Sequence, residues 1–324
     1  MESEYPTPPT PVIDLACAAP PPAVGPRRLS SLTSVLPAAR GRIGIPEVLA
    51  RVRWTMTLNL PSLVQIRQSR VDGALLICGG GPSIGDPDQL RRIRALKYRG
   101  GKIWAVNKTH DFLLSRGIVP WAACLLDPMP WVADYVARPR MDVIYAVASQ
   151  CHPDVLARLK DYPVYLWHAG IDGDDGLGHP TPMLAREFAD KEWLVIPGPT
   201  TVGLRSILVG YALGYRRFHL FGLDSSMRRQ STAAGGTVLH AYAKAKPGDA
   251  AEGSITLRTK NREHRFFTNA HMARQVLDFE DMAERLAEMV RSRRIDPIRI
   301  VVHGDGLLPE LAKCYGWHES QDHE

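Results

Sequence analysis

The chain has 324 residues, 45% of them hydrophobic, and 40 Lys+Arg against 34 Asp+Glu give a formal net charge of +6. That length holds one large or two small domains around a sizeable core. The basic residues are spread out as Arg91-Arg92, Arg216-Arg217, Arg228-Arg229 and Arg291 to Arg294. With no Lys/Arg block interleaved with aromatics, the pattern argues against nucleic acid as the main ligand. A solvated basic surface or an acidic nucleotide substrate is left to account for the charge.

The five cysteines, Cys17, Cys78, Cys124, Cys151 and Cys314, are odd in number and form no CxxC pair. Reduced thiols in a cytoplasm fit this better than a disulfide framework. No apolar run is long enough to span a bilayer, and no charged-then-apolar signal pattern opens the chain.

Residues 1–45, with Pro20-Pro21-Pro22, lack helical or strand periodicity and read as a disordered, proline-rich tail. Residues 46–72 contain an amphipathic helix and an apolar lead-in, a small N-terminal helical cap. A nucleotide-binding domain is expected over 73–318. Strands are predicted at Ala74–Cys78, Lys102–Val106, Ala122–Leu126, Val143–Val147, Val164–Trp167, Trp193–Ile196, Arg217–Phe221 and Ile298–Val302. Helical patterns fall between most of them, at Pro87–Tyr98, Thr109–Arg116, Pro153–Leu159, Pro182–Ala189 and Thr201–Leu213. The alternation predicts an α/β, Rossmann-like fold with a mostly parallel sheet and helices on both faces. Residues 225–268 break the rhythm and read as a lid insertion, with hairpin strands at Ser254–Arg258 and His264–Phe267. One long helix is predicted over 270–293.

Two apolar runs end in loops suited to a charged ligand. ALLIC opens into Gly79-Gly80-Gly81-Pro82-Ser83, where glycines permit close approach to a phosphate and a helix start offers free N–H groups. The alternative is a tight strand-to-helix turn; neither a P-loop nor a GxGxxG spacing is present. FHLFGL ends in Asp224, and AACLL ends in Asp127 before Pro128. Acids at strand ends hold Mg²⁺ through a nucleotide's phosphates, hold ribose hydroxyls, or merely cap helices. Asn107 ends KIWAV and offers both donor and acceptor to a base or ribose. Thr200 and Thr201 precede a helix and make a second anion site or an ordinary N-cap. His240, in the lid, and His271, at the start of the last long helix, are candidates for proton transfer. Arg228, Arg229, Lys244 and Lys246 are candidate phosphate clamps. His168, Asp172, Asp174, Asp175 and His179 have a metal-like composition, but a surface loop is the favoured reading because no glutamate ends the run at the EF-hand offset.

GGGPSI, AVN, LLDP and TVGLRSILVGYALGYRRFHLFGLD, in this order, resemble the MptE-like 6-hydroxymethylpterin diphosphokinase domain, which also occurs in flagellin-modification (motility accessory) proteins. The resemblance covers about residues 70–310. It implies a Rossmann-like nucleotide-binding domain, and transfer of a diphosphate from ATP to a pterin alcohol with Mg²⁺. The same blocks are similar to bacterial sialyltransferases that use CMP-sialic acid. There Gly81-Pro82-Ser83, Asn107 and Asp224 match, and His271 falls on the basic histidine. Gly80, Val202 and Ser226 depart from that pattern, standing in place of asparagine, serine and tyrosine. The expectation is therefore a nucleotide-dependent transferase acting on a small-molecule acceptor. A glycosyltransferase or a non-catalytic nucleotide-binding module is the alternative, and homo-oligomerisation is left open.

Overall fold

The computed structural model describes residues 12–14, 43–170, 187–188, 194–229, 237–238, 241, 253–258 and 263–314. In chain order the elements are β1 (Val12–Asp14), α1 (Ile45–Thr57), β2 (Val71–Cys78), α2 (Pro87–Tyr98), β3 (Lys102–Val106), α3 (Thr109–Ser115), β4 (Ala122–Leu125), β5 (Ile144–Ala148), α4 (Pro153–Arg158) and β6 (Val164–Ala169). They continue with β7 (Val195–Ile196), α5 (Val202–Ala212), β8 (Tyr215–Phe221), β9 (Arg228–Arg229), β10 (Thr237–Val238), β11 (Gly253–Arg258), β12 (Glu263–Thr268), α6 (Ala270–Arg291), β13 (Arg299–Val302) and α7 (Leu307–Cys314).

Eight strands form one sheet in the order β13-β8-β2-β3-β4-β5-β6-β7. Every pairing in it is parallel. A parallel sheet needs cover on both faces, which explains strands that read as continuous apolar runs. Along β2, Leu75 and Ile77 join the cluster containing Trp104, Ile207, Phe279 and Leu308, while Leu76 and Cys78 join Ile84, Ile93, Ile103 and Phe112. The alternation follows from the two-residue side-chain period of a strand. Trp104, Trp167, Tyr145 and Phe218 are fully buried, each worth about 1.5–3 kcal/mol relative to exposure. Cys78, Cys124 and Cys151 are free thiols in this core. Burial raises the pKa of all three, so they pack as small apolar groups.

The strand order locates the site. From β2 the chain winds outward through α2 to β3 and on to β7. It then returns to place β8 on the other side of β2, with β13 beyond. Connections leaving the adjacent ends of β2 and β8 therefore diverge, and such a switch point is where open α/β sheets bind ligands.

The hairpin expected after β8 is present: β11 and β12 pair antiparallel, with Ser254 opposite Phe267. It is tied to the exit of β8, because the Met227 N–H donates to the Phe267 carbonyl at 2.7 Å. Inside the stretch read as a structureless tail, Val12–Asp14 pairs parallel with Thr256–Arg258. Several elements were not anticipated. The seven-residue 3-10 turn Pro130–Val136 and helix α7 both carry a proline in their first turn, where its missing N–H costs nothing. The helix expected at Pro182–Ala189 lies almost wholly outside the described residues. No helix among the described residues is long and apolar enough to cross a membrane.

Candidate functional site

The glycine loop leaves β2 alongside the turn that leaves β8. The Gly79 N–H donates to Phe221 O at 2.7 Å, and the Gly81 N–H to Gly222 O at 2.8 Å, so the two strand ends stay zipped past the sheet. A Cβ on Gly79 would lie 2.7 Å from Gly222 O, and one on Gly81 would lie 2.6 Å from Asp224 Oδ2. Both glycines are thus required by close packing of two backbones, whatever else passes over them.

Asp224 is 3% exposed. Its Oδ2 accepts the Ser83 N–H at 2.7 Å and its Oδ1 accepts the Ser83 hydroxyl at 2.5 Å. Burial pushes the carboxyl up to about 6, against the pull of the two Ser83 hydrogen bonds. The donors expected to face a phosphate at this helix start therefore already hold an internal carboxylate.

The same arrangement recurs at the start of α5. The Thr200 N–H and hydroxyl both donate to Asp278 Oδ2, at 2.9 and 2.6 Å. Gln275 donates to Thr201 Oγ1 at 3.2 Å and accepts from the Ser225 hydroxyl at 2.9 Å. Asp278 and Gln275 belong to α6, which lies across this helix start. A phosphate at either cradle would have to displace a carboxylate of the chain itself. Sequence reasoning found the donors and missed both internal acceptors' assignments. Asp278 carried no local signal, since its partner is 78 positions away.

Asp127 accepts the Met129 N–H at 3.0 Å, a local turn. It follows β4, three strand spacings from β8, about 14 Å at 4.8 Å per strand. One magnesium ion, bound at about 2 Å, does not reach both Asp127 and Asp224. No group of three His, Cys, Asp or Glu among the described residues comes together to hold an ion. The pair thus does not form a resident metal centre.

Arg228 is held by Asp86 at 2.6 and 2.9 Å and by Asp305 at 2.8 Å. It pins the segment after β8 to the loops after β2 and β13. His271 is exposed in the first turn of α6, where Asn269 caps the helix by accepting the Met272 N–H. Of the metal-like run only His168 is described. It is buried with Nδ1 2.7 Å from Ser149 Oγ, and desolvation lowers its pKa to about 3. His240, Lys244, Lys246, Asp172, Asp174, Asp175 and His179 lie outside the described residues.

Asn107 stands apart from these satisfied groups. It follows β3 in the left-handed region, with φ 53°, a conformation that asparagine tolerates better than most residues. Its N–H donates to Cys124 O, but its side-chain Oδ1 is buried with no partner among the described residues. β3 is the neighbour of β2, so this orphan sits one strand from the switch point.

The profile of the family described as 6-hydroxymethylpterin diphosphokinase MptE-like matches residues 55–230. The chain belongs to this family. The match runs from the last residues of α1 through β9, including the glycine loop, Asn107, Asp127, the α5 start and Asp224. Among solved structures, the MAf glycosyltransferase from Magnetospirillum magneticum AMB-1 superposes with a TM-score of 0.50 at 17% identity. The alignment covers 82% of this chain and 38% of that one, so the MptE-like chain spans well under half of that protein. No curated protein matches the chain. Together the comparisons support a transferase in general terms.

Proposed function

We propose that this MptE-like chain is a nucleotide-dependent transferase that moves a diphosphate from ATP to a hydroxyl acceptor. The observation that carries the nucleotide is Asn107 Oδ1, buried at the sheet's C-terminal rim without a partner among the described residues. Leaving a buried acceptor unsatisfied costs about 1–3 kcal/mol. A base or ribose donor seated there would offset that cost. In this reading Asn107 holds the nucleoside, and the glycine loop and the Thr200–Thr201 turn shape the floor beneath the phosphates. Asp224 acts through Ser83 as a positioning residue. Mg²⁺ would arrive on the phosphate oxygens of ATP. The acceptor oxygen attacks the β-phosphorus, the bond to the α–β bridging oxygen breaks, and AMP leaves with that oxygen. The acceptor's proton goes to a base, for which His271 is the described candidate and His240 the other. The family description supports this choice of reaction. The test is AMP release from ATP and Mg²⁺ that depends on a 6-hydroxymethylpterin alcohol. Tight ATP binding with no acceptor-dependent AMP rules the reaction out.

A glycosyltransferase using a nucleotide-sugar is the second reading. The separation of Asp127 from Asp224 favours it, and the likeness to the MAf glycosyltransferase supports it. EDTA separates the two: diphosphate transfer stops, whereas sugar transfer without a metal continues.

A further inference from the structure

Because the sheet is parallel throughout, its strand starts gather at the end opposite the switch point. At that end β13, β8, β2 and β3 are neighbours, about 14 Å across at 4.8 Å per spacing. Arg299 opens β13, Arg217 lies near the start of β8, Arg70 precedes β2 and Lys102 opens β3. These side chains are exposed, and none has a carboxylate partner among the described residues. Arg217 and Arg299 are register partners, so like charges stand on adjacent strands, an arrangement that costs stability. Burial, and then Arg299, Arg217 and Arg92 of α2, lower the pKa of His219 to about 4. Of the carboxylates near these strand starts, Asp296 holds Arg216 and Asp142 holds Arg140. Cations at helix C-termini are favoured by the helix dipole, but these stand at strand starts, where no comparable dipole acts.

The most exposed large hydrophobic side chains among the described residues, Tyr98 at 94% and Met141 at 68%, stand at the same end. Tyr98 ends α2 just before β3, and Met141 precedes β5. The Asp142 carboxyl is lowered first by its Arg140 hydrogen bond and also by Lys97, so the segments carrying Met141 and Tyr98 adjoin. Single exposed apolar residues are ordinary. Beside a strip of cations, however, they have the makeup of a surface that meets lipid: apolar tips enter the acyl boundary and cations meet anionic headgroups.

We propose that this end of the sheet docks on an anionic membrane surface. Arg70, Lys102, Arg217 and Arg299 meet the headgroup charges, and Tyr98 and Met141 enter the headgroup layer. The opposite rim, with the glycine loop and Asn107, is left facing water. The inference does not depend on the reaction proposed above. A nucleic acid would answer the charge, but it stacks on aromatic faces and gains nothing from Met141.

The test is co-sedimentation of the full chain with vesicles of phosphatidylcholine alone, and of phosphatidylcholine with one-third phosphatidylserine, at low and high salt. The serine-containing vesicles should bind about ten-fold or more tightly at low salt, and salt should shrink the difference. Arg217→Thr with Arg299→Thr should weaken that binding about ten-fold without lowering the melting temperature, because it relieves a like-charge pair. Arg70→Ser with Lys102→Ser gives the same readout if the first variant folds poorly. Tyr98→Ser with Met141→Ser should weaken binding several-fold at unchanged charge. Equal binding to both kinds of vesicle, or binding to neither, overturns the inference. Vesicle binding that the Tyr98 and Met141 changes leave untouched also overturns it. Retention of a single-stranded oligonucleotide in preference to the charged vesicles assigns the face to nucleic acid and overturns it too.

Discussion

The Asp224 carboxylate accepts both the main-chain N–H and the hydroxyl of Ser83, so one side chain from the β8 turn closes the helix start that follows β2. The contact spans 141 positions and seals the floor of the switch point. Removing it leaves two buried donors orphaned. Asp224→Ala should lose about 3 kcal/mol of stability in urea denaturation. Asp224→Asn, which keeps an acceptor for the N–H, should lose roughly 1 kcal/mol. An alanine variant as stable as the parent would show that the strut is dispensable.

Asp224 also has a signature in the pH dependence. Its pKa is raised from 3.8 to about 6 in the fold. Between those values the folded state holds the extra proton, so this group's contribution to stability falls as pH rises from 4 to 6. His219 and His168 act oppositely. Burial lowers them to about 4 and about 3, so their contribution is complete above pH 6.5 and is lost on acidification. The two histidines outweigh one carboxyl, and stability should rise with pH across 4–6.5. Asp224→Asn removes the opposing group, so its stability should climb more steeply over that window, by up to about 3 kcal/mol at roughly 1.4 kcal/mol per pKa unit. Parallel pH–stability curves for the two proteins would contradict the assignment.

Helix α5 approaches the sheet through Gly203 and Gly210. A Cβ on Gly210 would lie 2.5 Å from Leu75 Cδ2 and 2.8 Å from Phe218 Cε1. One on Gly203 would lie 2.6 Å from Leu223 Cδ2. Alanine gains about 1 kcal/mol in helix propensity, while forcing atoms into a packed core costs about 1–3 kcal/mol. Contact wins at these separations because Leu75 and Phe218 are fully buried. Gly210→Ala should lower stability by up to about 2 kcal/mol in thermal or chemical melts. A stabilised variant would mean that the interface relaxes freely.

Asn107 allows a substitution that separates binding from folding. Its φ of 53° suits glycine, and its orphaned oxygen contributes nothing to the free protein. Asn107→Gly should change stability by less than about 1 kcal/mol yet weaken nucleotide binding ten-fold or more. Unchanged affinity would remove this residue from the site.

Thr200 and Asp278 allow the second cradle to be tested in the same way. Asp278→Ala frees the Thr200 N–H and hydroxyl and should cost about 1–2 kcal/mol. Added sulfate should then stabilise the variant more than the parent, since an exposed helix start binds anions. No difference in the sulfate response would count against the vacated cradle as an anion site.

The sequence alone determined the architecture, because an apolar run such as ALLIC and an amphipathic pattern such as Pro87–Tyr98 are local signals whose periods differ. It also marked the chemistry-bearing points, since glycines, Asn107 and acids at strand ends are legible wherever strand meets helix. Only the tertiary structure decided which donors are spoken for. Ser83 and Thr200 look alike from their neighbours in the chain, and each turned out to be gripped by a carboxylate that arrives from a distant element. Arg70, Lys102, Arg217 and Arg299 are scattered along the chain, and only the parallel strand order gathers them at one end of the sheet. Hydrogen-bond satisfaction and charge clustering are properties of three-dimensional neighbours, which no local pattern records.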